Sequence, residues 1–133
     1  KNQVPLCESK EAYIGQSFLL KRKFAETTRL PWLILSAKYG LLRPETIIDP
    51  NYDKTIKTKK DIKTLASIIQ EQLPRFPELD NVKEIIFLGP GSYAMALKNA
   101  LNQNNRIIIN HLTEGLGQGK ACQKIKRLLQ EMG

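Results

Sequence analysis

No run of apolar residues here approaches the roughly 20 needed to cross a bilayer, and the first residues lack the apolar core of a signal peptide. Nothing in the pattern directs the chain to a membrane, and a cytoplasmic location is expected. Cysteine is scarce. Cys7 and Cys122 stand far apart without metal-ligand spacing, which argues against a disulfide framework and leaves reduced thiols as the expectation. His111 is the single histidine, so the sequence offers no ligand cluster for zinc and no pattern that calls for a cofactor. Repeats, linkers and low-complexity tracts are absent as well. Lys1 is not an initiator, so the natural N-terminus is expected upstream.

What the chain does have is positive charge and periodicity. At 133 residues it is sized for one α/β domain over residues 1–133, with a core covering roughly two-thirds of the unfolded surface. Its 41% hydrophobic and 26% charged residues separate it from disordered tails. The formal charge of +8 and isoelectric point near 9.6 suit a polyanionic partner, so nucleic acid or a nucleotide is the expected partner. The basic residues gather at Lys21–Lys23, Lys54–Lys63 and Lys120–Arg127. Each group alone also fits the solvated face of a helix.

Tyr13, Ser17, Leu20 and Phe24 recur at helical spacing, and Leu30-Pro31 closes the segment, which predicts a helix over about Glu11–Thr27. The branched run Trp32–Leu35 predicts a buried strand ending in Ser36-Ala37-Lys38-Tyr39-Gly40. An irregular loop follows as far as Asp53, rich in charged and aromatic side chains. Thr58-Lys59-Lys60-Asp61 has the form of a capping box with Asp in place of Glu. It opens an amphipathic stripe of Ile62, Leu65, Ala66, Ile69 and Leu73 that Pro74 and Pro77 stop. Glu84–Leu88 predicts a second strand, ending at Gly89-Pro90-Gly91, with Ser92 as N-cap of a helix that turns Tyr93, Leu97, Ala100 and Leu101 inward. A polar turn over Asn102–Asn105 leads to a third strand, Arg106–Asn110. The last helix carries Ala121, Ile125, Leu128, Leu129 and Met132 on one face.

This alternation predicts a three-layer α/β/α domain with a mainly parallel sheet, at least three strands and at least four helices. Ligands of such sheets bind outside the carboxyl ends of the strands, so Ser36–Asp53, Gly89–Tyr93 and His111–Lys120 are expected to wall one cleft. Gly115, Gly117 and Gly119, with Lys120 at a helix start, offer backbone N–H groups and a cation to phosphate, as do Gly89, Gly91 and Ser92. The first group is not a P-loop: Glu114 and Ala121 stand where that motif requires Gly and Ser or Thr. The alternative is a pair of glycine-permitted tight turns.

Cleavage of an N-glycosidic bond fits the inventory best among reactions. It requires a carboxylate, from Asp53 or Glu114, and a donor to the departing base, from His111 or Lys38. Tyr39, Tyr52 or Tyr93 would supply the stacking surface, and Ser36 and Gly40 the turn beside it. A serine triad is poorly supported, because Ser36 lacks a nucleophile-elbow pattern.

The string Ile34-Leu35-Ser36-Ala37-Lys38-Tyr39-Gly40-Leu41-Leu42, then Pro44, then Pro50-Asn51-Tyr52-Asp53, resembles the signature of a family of small prokaryotic and phage α/β proteins related to the YaaA peroxide-stress proteins and, remotely, to the uracil-DNA-glycosylase-like superfamily. Tyr13–Phe18, Leu88–Tyr93 and Leu112–Gly117 fall in that family's order. Asn51 interrupts a Pro-Tyr-Asp that is contiguous there, and the family's opening strand with its Cys- and Lys-containing loop is not in this sequence. The resemblance implies a nucleic-acid or nucleotide-acting α/β domain, in the form of a base N-glycosylase-like hydrolase. The alternative is a binding module without catalysis. A carboxylate pointing into the cleft favours the enzyme; a basic groove without one favours the binder.

Overall fold

The structure is a computed structural model that describes residues 5–102 and 107–132. Gln103–Asn105 of the expected polar turn and Arg106 of the expected third strand lie outside those residues. The chain divides into two compact units, one drawn from Lys1–Ile34, Leu42–Asp53 and Leu116–Gly133, the other from Leu35–Leu41 and Lys54–Gly115.

In the first unit, β1 (Cys7–Glu8) pairs antiparallel with β4 (Ile47–Ile48), with Cys7 opposite Ile48. Ser9, fully buried, donates both its N–H and its hydroxyl to Thr46 O, at 2.8 and 2.7 Å. The helix expected over Glu11–Thr27 is two helices, α1 (Ser9–Ala12) and α2 (Gln16–Thr28). Tyr13 and Gly15 are extended at the C-cap of α1 and the N-cap of α2, which breaks the helical run, and the Tyr13 ring lies against Phe18, 5.1 Å between centroids. Arg29 ends α2 in the left-handed region. α2 packs against α5 (Gln118–Met132), where Ala121 and Ile125 are buried and Leu128 and Leu129 half-buried, as the spacing predicts, while Met132, expected on the same face, is exposed. Lys21 is partly withdrawn from water on α2, and this burial holds its ammonium below the usual lysine range, partly offset by Cys122. Both cysteines are free thiols.

The second unit is built on α3 (Lys59–Gln72), α4 (Gly91–Ala100) and two parallel strands, β5 (Glu84–Phe87) and β6 (Ile108–His111). α3 buries Leu65, Ala66 and Ile69 against α4, which buries Ala94, Ala96, Leu97 and Ala100. Small residues on α4 let the two helices approach, and each fully buried branched side chain contributes roughly 1.5–3 kcal/mol. The helix stops where Pro74 and Pro77 enter, in short 3₁₀ turns at Leu73–Arg75 and Pro77–Leu79.

The expectation of a three-layer domain around one mainly parallel sheet is wrong. Five helices accompany three sheets of two strands each among the described residues, and the β5–β6 pair is parallel while β1–β4 is antiparallel. The run that was to supply the first parallel strand forms β2 (Ile34–Ser36) and pairs with β3 (Gly40–Leu42) instead of with β5. The cause is local. Ser36 Oγ accepts the N–H groups of Lys38 and Tyr39, both at 3.1 Å, and Gly40 adopts φ +71°, so the chain reverses at once and a neighbour arrives four residues later. The segment read as loop up to Asp53 thereby holds two short strands, β3 and β4. No helix among the described residues is long and apolar enough to cross a membrane.

Candidate functional site

The one βαβ unit that does form among the described residues, β5–α4–β6, keeps the geometry by which α/β proteins present ligand sites, with both carboxyl ends on one edge. Phe87 stands opposite His111 in register, and their rings meet edge-on, 5.3 Å apart. Beyond them the chain is stitched across the edge. His111 Nε2 lies 2.7 Å from Gly89 O, and the buried Thr113 hydroxyl is within bonding distance of Leu88 O at 3.0 Å and Gly89 O at 3.2 Å. A carbonyl oxygen only accepts, so Nε2 is the donor in this contact. A Cβ at Gly89 would sit 2.7 Å from the Phe87 ring, so a larger residue there would require that ring to move.

From this edge α4 departs with Pro90 as N-cap and no side chain closing its first turn. Its first hydrogen bond runs from Ala94 N–H to Pro90 O at 3.1 Å. Ser92 is not the N-cap expected of it. It is the second residue of the helix, and its hydroxyl donates to Ile56 O at 2.9 Å. That bond brings the lysine-rich segment to the same edge. Ile56 is buried while its neighbours Lys54, Thr55, Lys57 and Thr58 are exposed, followed by exposed Lys59, Lys60 and Lys63. Asp61, the single carboxylate within Lys54–Lys63, accepts the N–H groups of Lys57 and Thr58, both at 3.0 Å, which hold it below the usual carboxylate range. It therefore completes the capping box read from the sequence.

The remaining candidates lie on other segments of the two units. Glu114 and Gly115 are exposed in the turn after β6, Gly115 with φ +75°, and Glu114 N–H donates to His111 O at 3.2 Å. Tyr93 is half-buried in the first turn of α4, and Gly91 has open space where a Cβ would stand. Ser36, Lys38, Tyr39 and Gly40 belong to the same unit but are held at the far end of α3. There Gln72 accepts Leu41 N–H at 2.7 Å and donates to Tyr39 O and Leu41 O, both at 3.0 Å. Fourteen residues of helix, about 20 Å, thus separate the Ser36–Gly40 turn from the start of α3 and the Ile56–Ser92 contact, so these segments do not wall one cleft. Asp53, Tyr52, Gly117, Gly119 and Lys120 fall in the other unit. There the Tyr52 and Tyr13 hydroxyls bond at 2.5 Å, Asp53 is exposed, and Gly117 O accepts Ala121 N–H at the start of α5.

Sequence reasoning missed Thr113, Ile56 and Gln72. A hydroxyl two residues beyond His111 and a lone apolar residue between lysines were the signals for the first two; Gln72 left none. Among the described residues no group of three or more His, Cys, Asp or Glu could hold a metal ion.

No solved structure matches the chain. It is similar to the uncharacterized protein YfjM of Bacillus subtilis (strain 168), 28% identical over 123 residues that cover 92% of this chain and 81% of the relative. A family model matches residues 1–127, nearly the whole length, and the chain belongs to that family, DUF6884, a family of unknown function.

Proposed function

We propose that the chain is a cytoplasmic binding module for nucleic acid or a nucleotide, contacting phosphates through Lys54–Lys63 at the carboxyl edge of the β5–α4–β6 unit. One observation carries this reading. Five exposed lysines lie within ten residues, the one carboxylate among them is turned into backbone N–H groups, and the Ser92–Ile56 bond fixes the segment beside an α4 start that no side chain caps. Each phosphate these lysines neutralise releases counterions, so five contacts give a log–log salt slope of about −4.5 on duplex DNA and about −3.5 on a single strand. Fluorescence anisotropy between about 50 and 300 mM salt reads that slope directly. Reversing Lys54, Lys57 and Lys60 to Glu weakens binding by about a hundredfold at the low end. Salt-independent affinity, or equal binding by the reversed protein, overturns the proposal.

A second reading, a base N-glycosylase-like hydrolase, draws on the resemblance of Ile34–Leu42 to YaaA-like and, remotely, uracil-DNA-glycosylase-like proteins. The observation in its favour is Glu114, an exposed carboxylate three residues from His111 on the same edge. Asp53, its alternative, belongs to the other unit. Glu114→Gln keeps shape and removes charge. A drop of about a hundredfold in base release with binding unchanged supports this reading, and unchanged turnover removes it.

A further inference from the structure

The Ser36–Leu41 turn is held by more bonds than a connector needs. Ser36 Oγ takes two N–H groups, Gly40 sits in the left-handed region, and the Gln72 amide fastens Tyr39 O, Leu41 N–H and Leu41 O from a helix more than thirty residues away. Its sides are closed, since Ser36, Ala37, Gly40 and Leu41 are buried. Two residues of the turn reach solvent, exposed Lys38 and half-exposed Tyr39, and the Lys38 ammonium lies 5.2 Å from the centre of the Tyr39 ring. An aromatic ring with a cation beside it, on a turn whose backbone these bonds hold, is the pairing that takes an unstacked base and its phosphate.

We infer that Tyr39, with Lys38 beside it, is a base-stacking tip, and that the partner of the lysine edge is a single-stranded polynucleotide whose bases are free to stack. This inference rests on the phosphate-binding reading above. A duplex shields its bases within the stack and offers this tip only backbone. The geometry also sets a length. The tip lies at the last residue of α3 and the lysine segment runs into its first turn, about 20 Å apart along the helix. A strand with a rise of about 3.4 Å per nucleotide covers that distance in about six nucleotides.

The test compares labelled strands of about 12 nucleotides, long enough to span both contacts: oligo(dT), oligo(rU), an abasic strand of the same length, which keeps the phosphates and lacks the bases, and a duplex of that length. The protein is expected to bind a base-bearing strand about tenfold more tightly than the abasic strand or the duplex, with the DNA and RNA arms identifying the sugar it accepts. Tyr39→Ala and Tyr39→Leu abolish that preference while leaving affinity for the abasic strand unchanged, and Tyr39→Phe retains it. Shortening oligo(dT) below about six nucleotides loses the preference as well. Equal affinity for base-bearing and abasic strands, or a preference that survives Tyr39→Ala and Tyr39→Leu in protein with a wild-type melting profile, overturns the stacking tip and leaves the phosphate reading standing. Failure to bind any of the four overturns both.

Discussion

Thr58 and Asp61 close the first turn of α3 with partners three or four residues away, whereas Gln72, at its last residue, holds backbone groups 31 and 33 residues distant. At the first end one helix is finished by its own sequence. At the second, a side-chain amide stands in for a neighbouring peptide, offering one acceptor to Leu41 N–H and donors to two carbonyls. A lost local cap frays one turn, and water takes its place. A lost clamp takes their Gln72 partner from one donor and two acceptors of the Tyr39–Leu41 segment, where Leu41 is buried, so the two ends differ in what they cost to break.

The largest effect belongs to Gly40→Ala. Gly40 requires φ +71°, and an added Cβ would collide with Gln72 Oε1 and fall 2.8 Å from Ile68 Cγ2. Gln72 can move aside only by releasing Leu41. The left-handed backbone and the overpacking together cost about 3 kcal/mol. Gly91→Ala, built into open space at the start of α4, is the matched control and is expected within about 0.5 kcal/mol of wild type. Urea unfolding of the two variants tests this, and equal midpoints would break the distinction between the clamped end and an open turn.

Next comes Gln72→Ala, expected to cost about 2 kcal/mol because buried backbone groups lose their partner. Thr58→Ala, at the opposite end of the same helix, removes a single capping acceptor and costs about 1 kcal/mol. The comparison is sharpened by the double variant. The sites share no partner and lie a helix length apart, so their effects should add to within about 0.5 kcal/mol.

The same contrast explains which parts of the fold could be read in advance. Thr58-x-x-Asp61, the Leu65–Ile69 stripe, the prolines that stop α3 and the Ala121–Ile125 face of α5 are local patterns, and each is found where the spacing puts it. β3 and β4 were illegible because Gly40–Leu42 and Ile47–Ile48 are too short to show a period, and β4 exists through pairing with Cys7 and Glu8, some forty residues earlier. The expected parallel sheet failed at one residue. Ser36 was read as a strand end that presents chemistry, yet its hydroxyl turns the chain back on itself. Within the candidate site, the meeting of Gly89 with His111 follows from parallel pairing of two successive strands and was legible. The arrival of Ile56 at Ser92 was not, because a buried isoleucine among lysines carries no address for its partner.

The smallest effect isolates the capped end by pH. Asp61 accepts hydrogen bonds from Lys57 and Thr58 N–H and lies below its usual value of 3.8, with further lowering from the Thr58 side chain and Lys54. A carboxyl depressed in the folded state binds its proton less readily there than in the unfolded chain. Its contribution to stability is therefore complete above the unfolded value and disappears as pH falls through the lower folded value. Asp61→Asn removes the titration while keeping the shape, and the other carboxylates titrate alike in both proteins. The stability gap between wild type and Asp61→Asn should be constant from about pH 7 to about 5 and narrow below 3.8. Urea midpoints at steps from about pH 7 down to about 2.5 follow that gap. Added salt should change it little, because the two leading causes are backbone hydrogen bonds and the Lys54 charge comes last. A gap that stays level down to about pH 2.5 would mean that the charge on Asp61 does not hold the turn. The capped end would then depend on the Thr58 hydroxyl alone, as the clamped end depends on a neutral amide.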